Sequence, residues 1–320
     1  MTGLLSVVMP TYNGERYLAP ALESLLSQLD GGVELVVVDD GSTDGTVELV
    51  ERLTRGTATR ILRPGRMGNW VAATNLGLRE ARGEWACFLH QDDLWLPGRL
   101  ARLRAELPGA KGALLVHDTR FVDSDGAPLG RWTCPFPAGD VEPAAFVERL
   151  LVQNFVSINA GTFRREAMLA QGGLDERLWF SADWDLWLRA AAAGPVRVLR
   201  EPLGAYRVHP ESQTAARAIA AGEWEDQLGT VLRRHLSAWP VTGGRRRTVE
   251  RAAACSIAVN AGLAVAARGG SVSWARLALR LLALGPLGWH RFLRDSRIVQ
   301  RLLPRLRLRW RQGRRPAGKG

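Results

Sequence analysis

Two adjacent acidic residues, Asp92 and Asp93, follow a short apolar run that ends at Leu89. Carboxylate oxygens are the ligands that Mg²⁺ and Mn²⁺ prefer in proteins, and Mg²⁺ usually takes one or two protein carboxylates and leaves its other positions to substrate phosphates. A structural alternative exists, because Asp93 could cap the helix that begins near Pro97. A second acidic pair at another strand end favours the metal-site interpretation.

That second pair, Asp39 and Asp40, opens the segment DDGSTDGT. The rest of the segment is typical of a turn followed by a helix cap, since Gly41 permits a tight turn and Ser, Thr or Asp can cap the next helix. This interpretation does not require two carboxylates at a strand end. An exposed carboxylate there could accept hydrogen bonds from a nucleobase imide or a ribose hydroxyl, and the residues alone leave both interpretations open.

A third acidic site lies in the tryptophan-rich segment over residues 179–189. Helical spacing puts Trp184, Trp187 and Leu188 on one apolar face, and tryptophans at this spacing usually belong to a core. A carboxylate at the start of such a helix, Asp183, could act as a general base if it reaches a cleft.

The elements that must position these residues alternate along the first 120 residues. The predicted strands cover residues 4–9, 34–39, 59–62, 85–90 and 113–118, and the predicted helices cover residues 19–28, 46–53, 71–82 and 98–107. This alternation predicts an α/β fold with a mainly parallel sheet and helices on both faces. Ligands of such sheets lie beyond the carboxyl ends of the strands. The polar strand ends at residues 10–13, 39–42 and 90–93 should therefore lie at one edge.

The second half of the chain has a weaker pattern. Residues 119–155 are predicted to be irregular until a helix over 143–151. The elements predicted after it are a strand over 156–163, a helix over 182–193 and closing strands over 196–199 and 203–208. From about Glu211 the chain is predicted to be helical and free of strands.

The composition limits the classes of protein that fit. The chain has 320 residues, of which 46% are hydrophobic and 23% charged, which excludes wholesale disorder and a polytopic membrane protein. The net charge of +11 is uneven, since residues 231–320 contain 20 Lys and Arg against two acidic residues, a net +18, and the rest carries −7. This asymmetry argues against nucleic-acid binding by the main domain and predicts an anionic partner for the tail.

In their order along the chain, the segments VVMPTYN, ELVVVDDGSTDGT, FLHQDDLWLPGRL, SADWDLWLR and YRVH resemble glycosyltransferase family 2, the inverting nucleotide-sugar transferases with the GT-A fold. Each motif alone is weak, but together they extend over about residues 4–210. The resemblance implies transfer of a sugar from a nucleoside-diphosphate donor to an acceptor hydroxyl. HQDDLWLP is most similar to members that transfer deoxysugars such as rhamnose to bacterial surface polysaccharides.

The resemblance also implies roles for individual residues. The residues expected to hold the nucleotide sugar, a UDP- or dTDP-sugar, are Pro10, Tyr12, Asp40, Asn69 and Gln91. The family's D-x-D motif corresponds to residues 90–92, so Asp92 would bind Mn²⁺ or Mg²⁺, and His209 would complete the metal site. Asp183 matches the catalytic base, which would take a proton from the acceptor hydroxyl as it attacks the anomeric carbon with inversion.

Two residues depart from the family pattern. His90 stands in place of the first acid of D-x-D, and Ala182 replaces the glutamate before the base. These departures are the support for the alternative hypothesis, a non-catalytic scaffold that binds a nucleotide sugar or a membrane. A nucleotidyltransferase would need a glycine-rich basic loop after the first strand, and a dehydrogenase would need G-x-G-x-x-G; the sequence has neither.

The basic C-terminal third allows two interpretations of equal weight. Its helices could lie on an anionic membrane surface, or they could pack as a bundle against the catalytic body. The expected organisation is a GT-A domain over residues 1–210, a basic helical region over 211–312 and a disordered tail over 313–320. Three widely spaced cysteines and the absence of a signal-peptide pattern predict a cytoplasmic protein, with possible contact with the inner face of the membrane and a lipid-linked or polymeric glycan acceptor.

Overall fold

The computed structural model describes residues 5–209, 211–212, 221–267, 270–304 and 307. Its strands are β1 (Leu5–Thr11), β2 (Val33–Asp39), β3 (Thr59–Leu62), β4 (Trp85–Phe88), β5 (Leu94–Trp95), β6 (Leu114–Val122), β7 (Pro128–Trp132), β8 (Gly139–Val141), β9 (Gly161–Arg164) and β10 (Val196–Arg207). Its helices are α1 (Glu15–Leu26), α2 (Thr46–Leu53), α3 (Trp70–Glu80), α4 (Arg99–Glu106), α5 (Pro143–Val152), α6 (Arg165–Leu169), α7 (Ala182–Ala192), α8 (Ala221–Ala238), α9 (Gly243–Ala267), α10 (Trp274–Leu282) and α11 (Gly285–Ser296).

The ten strands form one sheet with the order β3-β2-β1-β4-β9-β6-β10-β5, in which β7 pairs with β6 and β8 with β10. The first four strands are parallel, as the alternating pattern predicts. β9 lies antiparallel between β4 and β6, and β10 is parallel to β6. The carboxyl ends of β1, β2, β4, β6 and β10 therefore lie at one edge, together with the residues that precede β9.

The central strands are buried on both faces, which explains their nearly continuous apolar sequence. Every residue of β1 and β2 is buried. Alternate side chains of the two strands enter different cores, Val8 and Val36 on one face and Val7 and Val37 on the other. Helices thus cover both faces, and the predicted α/β class is confirmed.

The structure differs from the predicted pattern between residues 119 and 208. β6 extends to Val122 and forms a hairpin with β7, so the region predicted to be irregular contains strands. The strand predicted over 156–163 is a short 3-10 turn followed by β9. The two predicted closing strands are one strand, β10, whose pairing with β6 shifts on both sides of Pro202. Proline has no N–H for the ladder, so it interrupts the pattern without ending the strand.

The C-terminal helices share the larger core with the sheet. Val231 of α8, Val249 of α9 and Phe292 of α11 belong to the same buried cluster as Val8 and Phe88. No strand follows β10 among the described residues, and the tail predicted over 313–320 lies outside them. α9 is long and apolar enough to meet the criteria for a membrane span over Gly243–Ala266, with 39% of its apolar window buried in the protein. A core helix meets the same criteria, so this finding alone does not place α9 in a membrane.

Candidate active site

At the carboxyl end of β1, Pro10 interrupts the backbone pairing with β4, and the Gln91 side chain takes its place. Leu89 donates to the Val8 carbonyl at 3.1 Å, and the next bond of a parallel ladder would need an N–H at residue 10, which proline lacks. The Gln91 carboxamide bridges the gap, since it accepts from the Tyr12 N–H at 2.8 Å and donates to the Tyr12 carbonyl at 3.0 Å. Gln91 thus fixes the backbone of Tyr12. A direct contact of Tyr12 or Gln91 with the nucleotide-sugar donor stays a prediction.

Asp39 and Asp40, the adjacent carboxylates after β2, have different surroundings. Asp39 accepts from the Thr11 hydroxyl at 3.0 Å, from the Ser42 amide at 2.9 Å and from the Ser42 hydroxyl at 2.6 Å. These bonds close the turn after the strand. The turn also requires Gly41, whose φ of 76° favours glycine. Asp39 is therefore a structural residue. Asp40 is buried as well, rather than exposed as the sequence interpretation assumed, and it stays the candidate ligand-binding carboxylate of the pair.

Asp40 faces the loop that precedes α3. The Gly68 amide donates to its carboxylate at 3.1 Å, the Met67 amide also donates to it, and the Arg66 guanidinium forms an ion pair with it. Arg66 also covers the Tyr12 ring, with 3.7 Å between Cζ and the ring centroid. An aromatic ring, a carboxylate and a guanidinium are thus grouped at the edge of the sheet. Such groups can stack on a planar base and pair with its polar edge.

Asp92 and His209, predicted from distant parts of the sequence, are in contact. Asp92 Oδ2 and His209 Nε2 lie 2.9 Å apart, and the His209 ring packs against Tyr17 with 4.4 Å between ring centroids. Burial raises the pKa of Asp92, but the His209 hydrogen bond and the charges of His90 and His209 together hold it below its ordinary value. Asp92 remains 24% exposed, so it is accessible to a ligand.

The donor set of this pair fits a divalent cation. Two ligands at right angles, each about 2.1 Å from a Mg²⁺ ion, lie about 3.0 Å apart, close to the observed 2.9 Å. A carboxylate oxygen with an imidazole nitrogen suits Mn²⁺ in particular. Within the described residues no group of three or more His, Cys, Asp or Glu side chains could hold a metal. A cation here would therefore need oxygens from its substrate as well.

Arg207 ties the candidate metal ligands to three elements. It is buried, and its guanidinium donates to the carbonyl of Asp92 at 2.8 Å and to the carbonyl of Ser124 at 2.8 Å. Its Cζ lies 5.1 Å from the ring centroid of Tyr17. Since His209 is two residues further along the chain, Arg207 sets the position of both predicted metal ligands.

Asp93 connects the strand ends at this edge through its hydrogen bonds. Its carboxylate accepts from the Arg207 amide at 3.1 Å and from the Asn159 side chain at 3.0 Å. Burial and the adjacent charge of Asp92 raise the pKa of Asp93 well above its ordinary value. Asp93 therefore connects β4, β10 and the turn before β9 and has no accessible surface for a ligand.

Asp183 lies in the first turn of α7, as predicted for the base. Its carboxylate accepts from the Trp184 amide at 2.8 Å and from the Asn154 side chain at 2.9 Å. Burial raises the pKa of Asp183 to about 6 in spite of these bonds. A carboxylate with such a pKa is ionised at neutral pH and is a stronger base than an ordinary aspartate.

Asn69 has a structural role that is visible in its contacts. It caps α3, since its Oδ1 accepts from the Val71 amide at 3.0 Å, and its Nδ2 donates to the Glu176 carbonyl at 2.9 Å. These bonds join α3 to the loop before α7. A contact of Asn69 with the nucleotide-sugar donor stays a prediction.

The two departures from the family pattern lie in largely apolar surroundings. His90 packs edge-on against Trp70 with 5.1 Å between ring centroids, and burial lowers its pKa, so it is neutral near pH 7. Ala182 is fully buried in the larger core, where a glutamate would have to bury its carboxylate. The alanine is therefore consistent with the packing of α7 in this chain.

Four residues of the site are not evident from the sequence pattern: Arg66, Arg207, Asn154 and Asn159. Each acts through contacts to residues distant along the chain. The one local signal was the position of Arg207 in the YRVH segment.

Comparison with known proteins shows the family of the chain. The family profile described as Glycosyl transferase family 2 matches residues 6–165, half of the chain. An uncharacterized glycosyltransferase of Nostoc sp. is 28% identical over 229 residues, which cover 69% of this chain and 70% of the relative. The glycosyltransferase GlyG of Streptococcus pneumoniae is 35% identical over 128 residues, which cover 39% and 42% of the two chains.

Two solved structures share the fold. Staphylococcus aureus TarS 1-349, solved in complex with UDP-GlcNAc, has a TM-score of 0.65 at 18% identity, with 97% of this chain and 92% of that chain covered. The mannosyltransferase PcManGT of Pyrobaculum calidifontis, in complex with GDP-Man and Mn²⁺, has a TM-score of 0.54 at 20% identity, with 94% and 87% covered. At these identities the likeness concerns the fold, which is the predicted GT-A fold.

The family match includes the strand ends that carry Tyr12, Asp40 and Asp92, and the fold places His209 beside them. The family profile and the sequence relatives agree on the family, and the fold is the one expected for it. The chain is a glycosyltransferase and belongs to glycosyl transferase family 2.

Proposed function

We propose that the protein transfers a sugar from a nucleoside-diphosphate sugar to an acceptor hydroxyl with inversion at the anomeric carbon. The observation that carries the proposal is the shared edge of the sheet. It groups Tyr12 and Asp40 with the candidate metal ligands Asp92 and His209 at strand ends. The first turn of α7 carries the carboxylate with a raised pKa, Asp183, which we assign to the acceptor side. These are the parts that a single displacement needs.

The donor side would work through binding and orientation. Tyr12 stacks on the nucleobase and Asp40 accepts from its imide, once Arg66 moves off the Tyr12 ring. Asp92 and His209 would hold a divalent cation, whose charge would offset the negative charge that develops on the departing diphosphate. UDP-GlcNAc in TarS and GDP-Man in PcManGT show that proteins of this fold take nucleotide sugars; a UDP- or dTDP-sugar is the donor we propose here.

The acceptor side would depend on Asp183. Its carboxylate takes the proton of the acceptor hydroxyl while that oxygen attacks the anomeric carbon, and the bond to the diphosphate breaks on the opposite face. No covalent enzyme intermediate is required. We propose a lipid-linked or polymeric glycan as the acceptor, in the synthesis of a cell-surface polysaccharide or glycoconjugate, by a cytoplasmic enzyme at the inner face of the membrane.

An assay of donor cleavage tests the proposal. The protein is incubated with Mn²⁺ and a panel of UDP-, GDP- and dTDP-sugars, and release of the nucleoside diphosphate is measured. We expect slow hydrolysis of one donor that requires the metal and is lost in Asp92→Ala. The exposed Asp226 gives a matched control, and Asp226→Ala should retain wild-type activity.

The acceptor step is tested with acceptor extracts. Asp183→Asn should bind the donor normally and lose transfer by a factor of about 10² or more, as expected for removal of a general base. Equal transfer by wild type and Asp183→Asn would refute the assigned base. Tight donor binding without turnover on any donor or acceptor would favour the non-catalytic scaffold.

A further inference from the structure

The helices α10 and α11, with the segment that follows them, carry most of the exposed apolar side chains of the described chain. Nine large hydrophobic side chains are exposed among the described residues, and eight of them lie between residues 274 and 303. These eight are Trp274, Leu279, Leu282, Leu287, Trp289, Leu293, Val299 and Leu303. Isolated exposed hydrophobics are normal, but such a concentration marks an interaction surface.

Folding of α10 does not require its outward apolar residues. Leu277 and Leu281 attach the helix to the larger core. Successive residues of a helix are about 100° apart, so Leu279 and Leu282 lie about 100–160° around the helix from Leu277 and Leu281, and they are 66% and 63% exposed. The helix therefore has one apolar face for the core and a second apolar face with no contact to that core.

α11 has the same arrangement. Phe292 is buried in the core, whereas Leu287, Trp289 and Leu293 are exposed, Leu287 by 82%. The Trp289 indole donates to the Leu281 carbonyl of α10 and links the two helices.

The charges of this region have one sign at the surface. Residues 270–304 contain six arginines and a single acidic residue, Asp295. Asp295 is fully buried, and Arg149 and Arg294 contact its carboxylate at 2.9 Å and 2.7 Å. No carboxylate in this range is therefore exposed, while Arg280 and Arg294 are.

We propose that the outward faces of α10 and α11 bind the surface of an anionic lipid bilayer. Leucine and tryptophan side chains can enter the boundary between headgroups and acyl chains, and arginines beside them can pair with lipid phosphates. A second copy of this face is a poor partner, because the arginines of both copies would be brought together. A soluble polyanion would satisfy the arginines and leave the leucines and tryptophans in water.

The surface is held in a fixed position relative to the sheet. The chain after α11 packs on β7, where the Gln300 amide oxygen accepts from the Thr133 amide at 3.1 Å and Arg307 donates to the Leu129 carbonyl at 2.6 Å. A bilayer bound to α10 and α11 would therefore lie at a defined orientation to the catalytic edge. If the proposed function is correct, this arrangement would suit an acceptor anchored in the same membrane.

Co-sedimentation of the full-length chain with vesicles tests the proposal without any sugar substrate. We compare phosphatidylcholine alone with phosphatidylcholine that contains about 30% phosphatidylglycerol, at about 0.05 M and about 0.5 M salt. We expect binding only to the anionic vesicles, at least about tenfold weaker at high salt. Equal binding to both vesicles, binding that salt does not change, or no binding would each overturn the proposal.

Variants locate the contact. Leu279→Gln with Leu293→Gln should weaken binding at least about tenfold through lost apolar burial. Arg280→Glu should weaken it about tenfold or more, while the control Arg79→Glu, an equal charge change at an exposed site on α3, should change it less than about twofold. Equal loss from Arg280→Glu and Arg79→Glu would overturn the proposal.

Two further measurements keep the result interpretable. Thermal melts identify a variant that fails to fold. In that case the dependence of wild-type binding on salt and on anionic lipid decides whether the proposal stands. Sedimentation velocity without vesicles measures self-association. A wild-type dimer that the double leucine variant converts to monomer, together with absent vesicle binding, would assign the surface to a second copy.

Discussion

At the scale of single residues, the surroundings of Asp183 set the pH at which the proposed reaction can proceed. Its pKa of about 6 results mainly from burial, and a base must be deprotonated to act. We expect kcat/KM for transfer to fall tenfold per pH unit below about pH 6. Asn154→Ala removes a hydrogen bond to the charged form and should move this midpoint upward by about one unit. The control Gln171→Ala, at an exposed site, should leave the midpoint of the pH profile unchanged. An unchanged midpoint in Asn154→Ala would show that Asp183 is not the base.

The same carboxyl group predicts how stability changes with pH. Because the pKa of Asp183 is higher in the folded state than in the unfolded chain, the folded state is favoured as the pH falls through about 6 toward 4. We expect the Tm of the wild type to rise relative to that of Asp183→Asn between pH 8 and pH 5, by about 1.4 kcal/mol in free energy of unfolding. Scanning fluorimetry of both proteins across this range measures it. A difference in Tm that is independent of pH would contradict the raised pKa.

At the scale of elements, the join between β1 and β4 depends on Gln91. Pro10 ends the ladder, and only the carboxamide satisfies both the N–H and the carbonyl of Tyr12. Gln91→Leu would leave both groups unpaired, so we expect a loss of about 2 kcal/mol or more in urea melts and UDP binding at least about tenfold weaker by calorimetry. Gln91→Glu keeps the acceptor and loses the donor, and its effect should be intermediate. Unchanged UDP affinity in Gln91→Leu would show that the Tyr12 backbone does not need this support.

Arg207 joins β10 to the turn after β4. A lysine there has one point charge and cannot reproduce the planar arrangement of donors to the carbonyls of Asp92 and Ser124. We expect Arg207→Lys to raise the Mn²⁺ concentration for half-maximal activity by about tenfold, as for other residues that orient metal ligands. The exposed Arg120→Lys is the control. A lower Tm with an unchanged Mn²⁺ requirement would mean that Arg207 only stabilises the fold.

The sequence predicts elements well where burial is continuous. β1 and β2, buried along their whole length, begin within one residue of their predicted starts. β5, β7 and β8 are short, and β9 runs antiparallel, and these features depend on partners distant along the chain. The same limit applies to the site. Acidic residues at strand ends are visible in the sequence, whereas the contact of Arg66 with Asp40 requires the folded loop.

At the scale of the whole molecule, the uneven charge of the chain divides into two roles. Some arginines of the C-terminal third neutralise buried carboxylates of the catalytic body, as Arg245 and Arg291 do for Glu148. Arg280 is exposed beside the exposed leucines and tryptophans, while Arg294 belongs to both groups, since it is exposed and also pairs with the buried Asp295. The sequence allowed the C-terminal helices either to pack against the catalytic body or to lie on a membrane. Packing is therefore confirmed for part of the C-terminal third, and the proposed bilayer surface concerns the part outside the core.

Because of this shared core, the catalytic body should not fold without α8 and α9. Val231 is fully buried against the body, and Asp185 of α7, 1% exposed, accepts from Arg234 of α8 at 2.8 Å. Burial raises the pKa of Asp185, but the hydrogen bond from His235 of α8, with the charge of Arg189 and the Arg234 bond, holds it at about 2. Loss of a partner of a buried charge costs about 3–5 kcal/mol, comparable to the stability of a whole domain. A chain of residues 1–212 should unfold without a cooperative transition in urea and bind a hydrophobic dye. A chain of residues 1–269 keeps both helices and should unfold cooperatively. A cooperative transition of the shorter chain at the wild-type midpoint would show that the body is an independent domain.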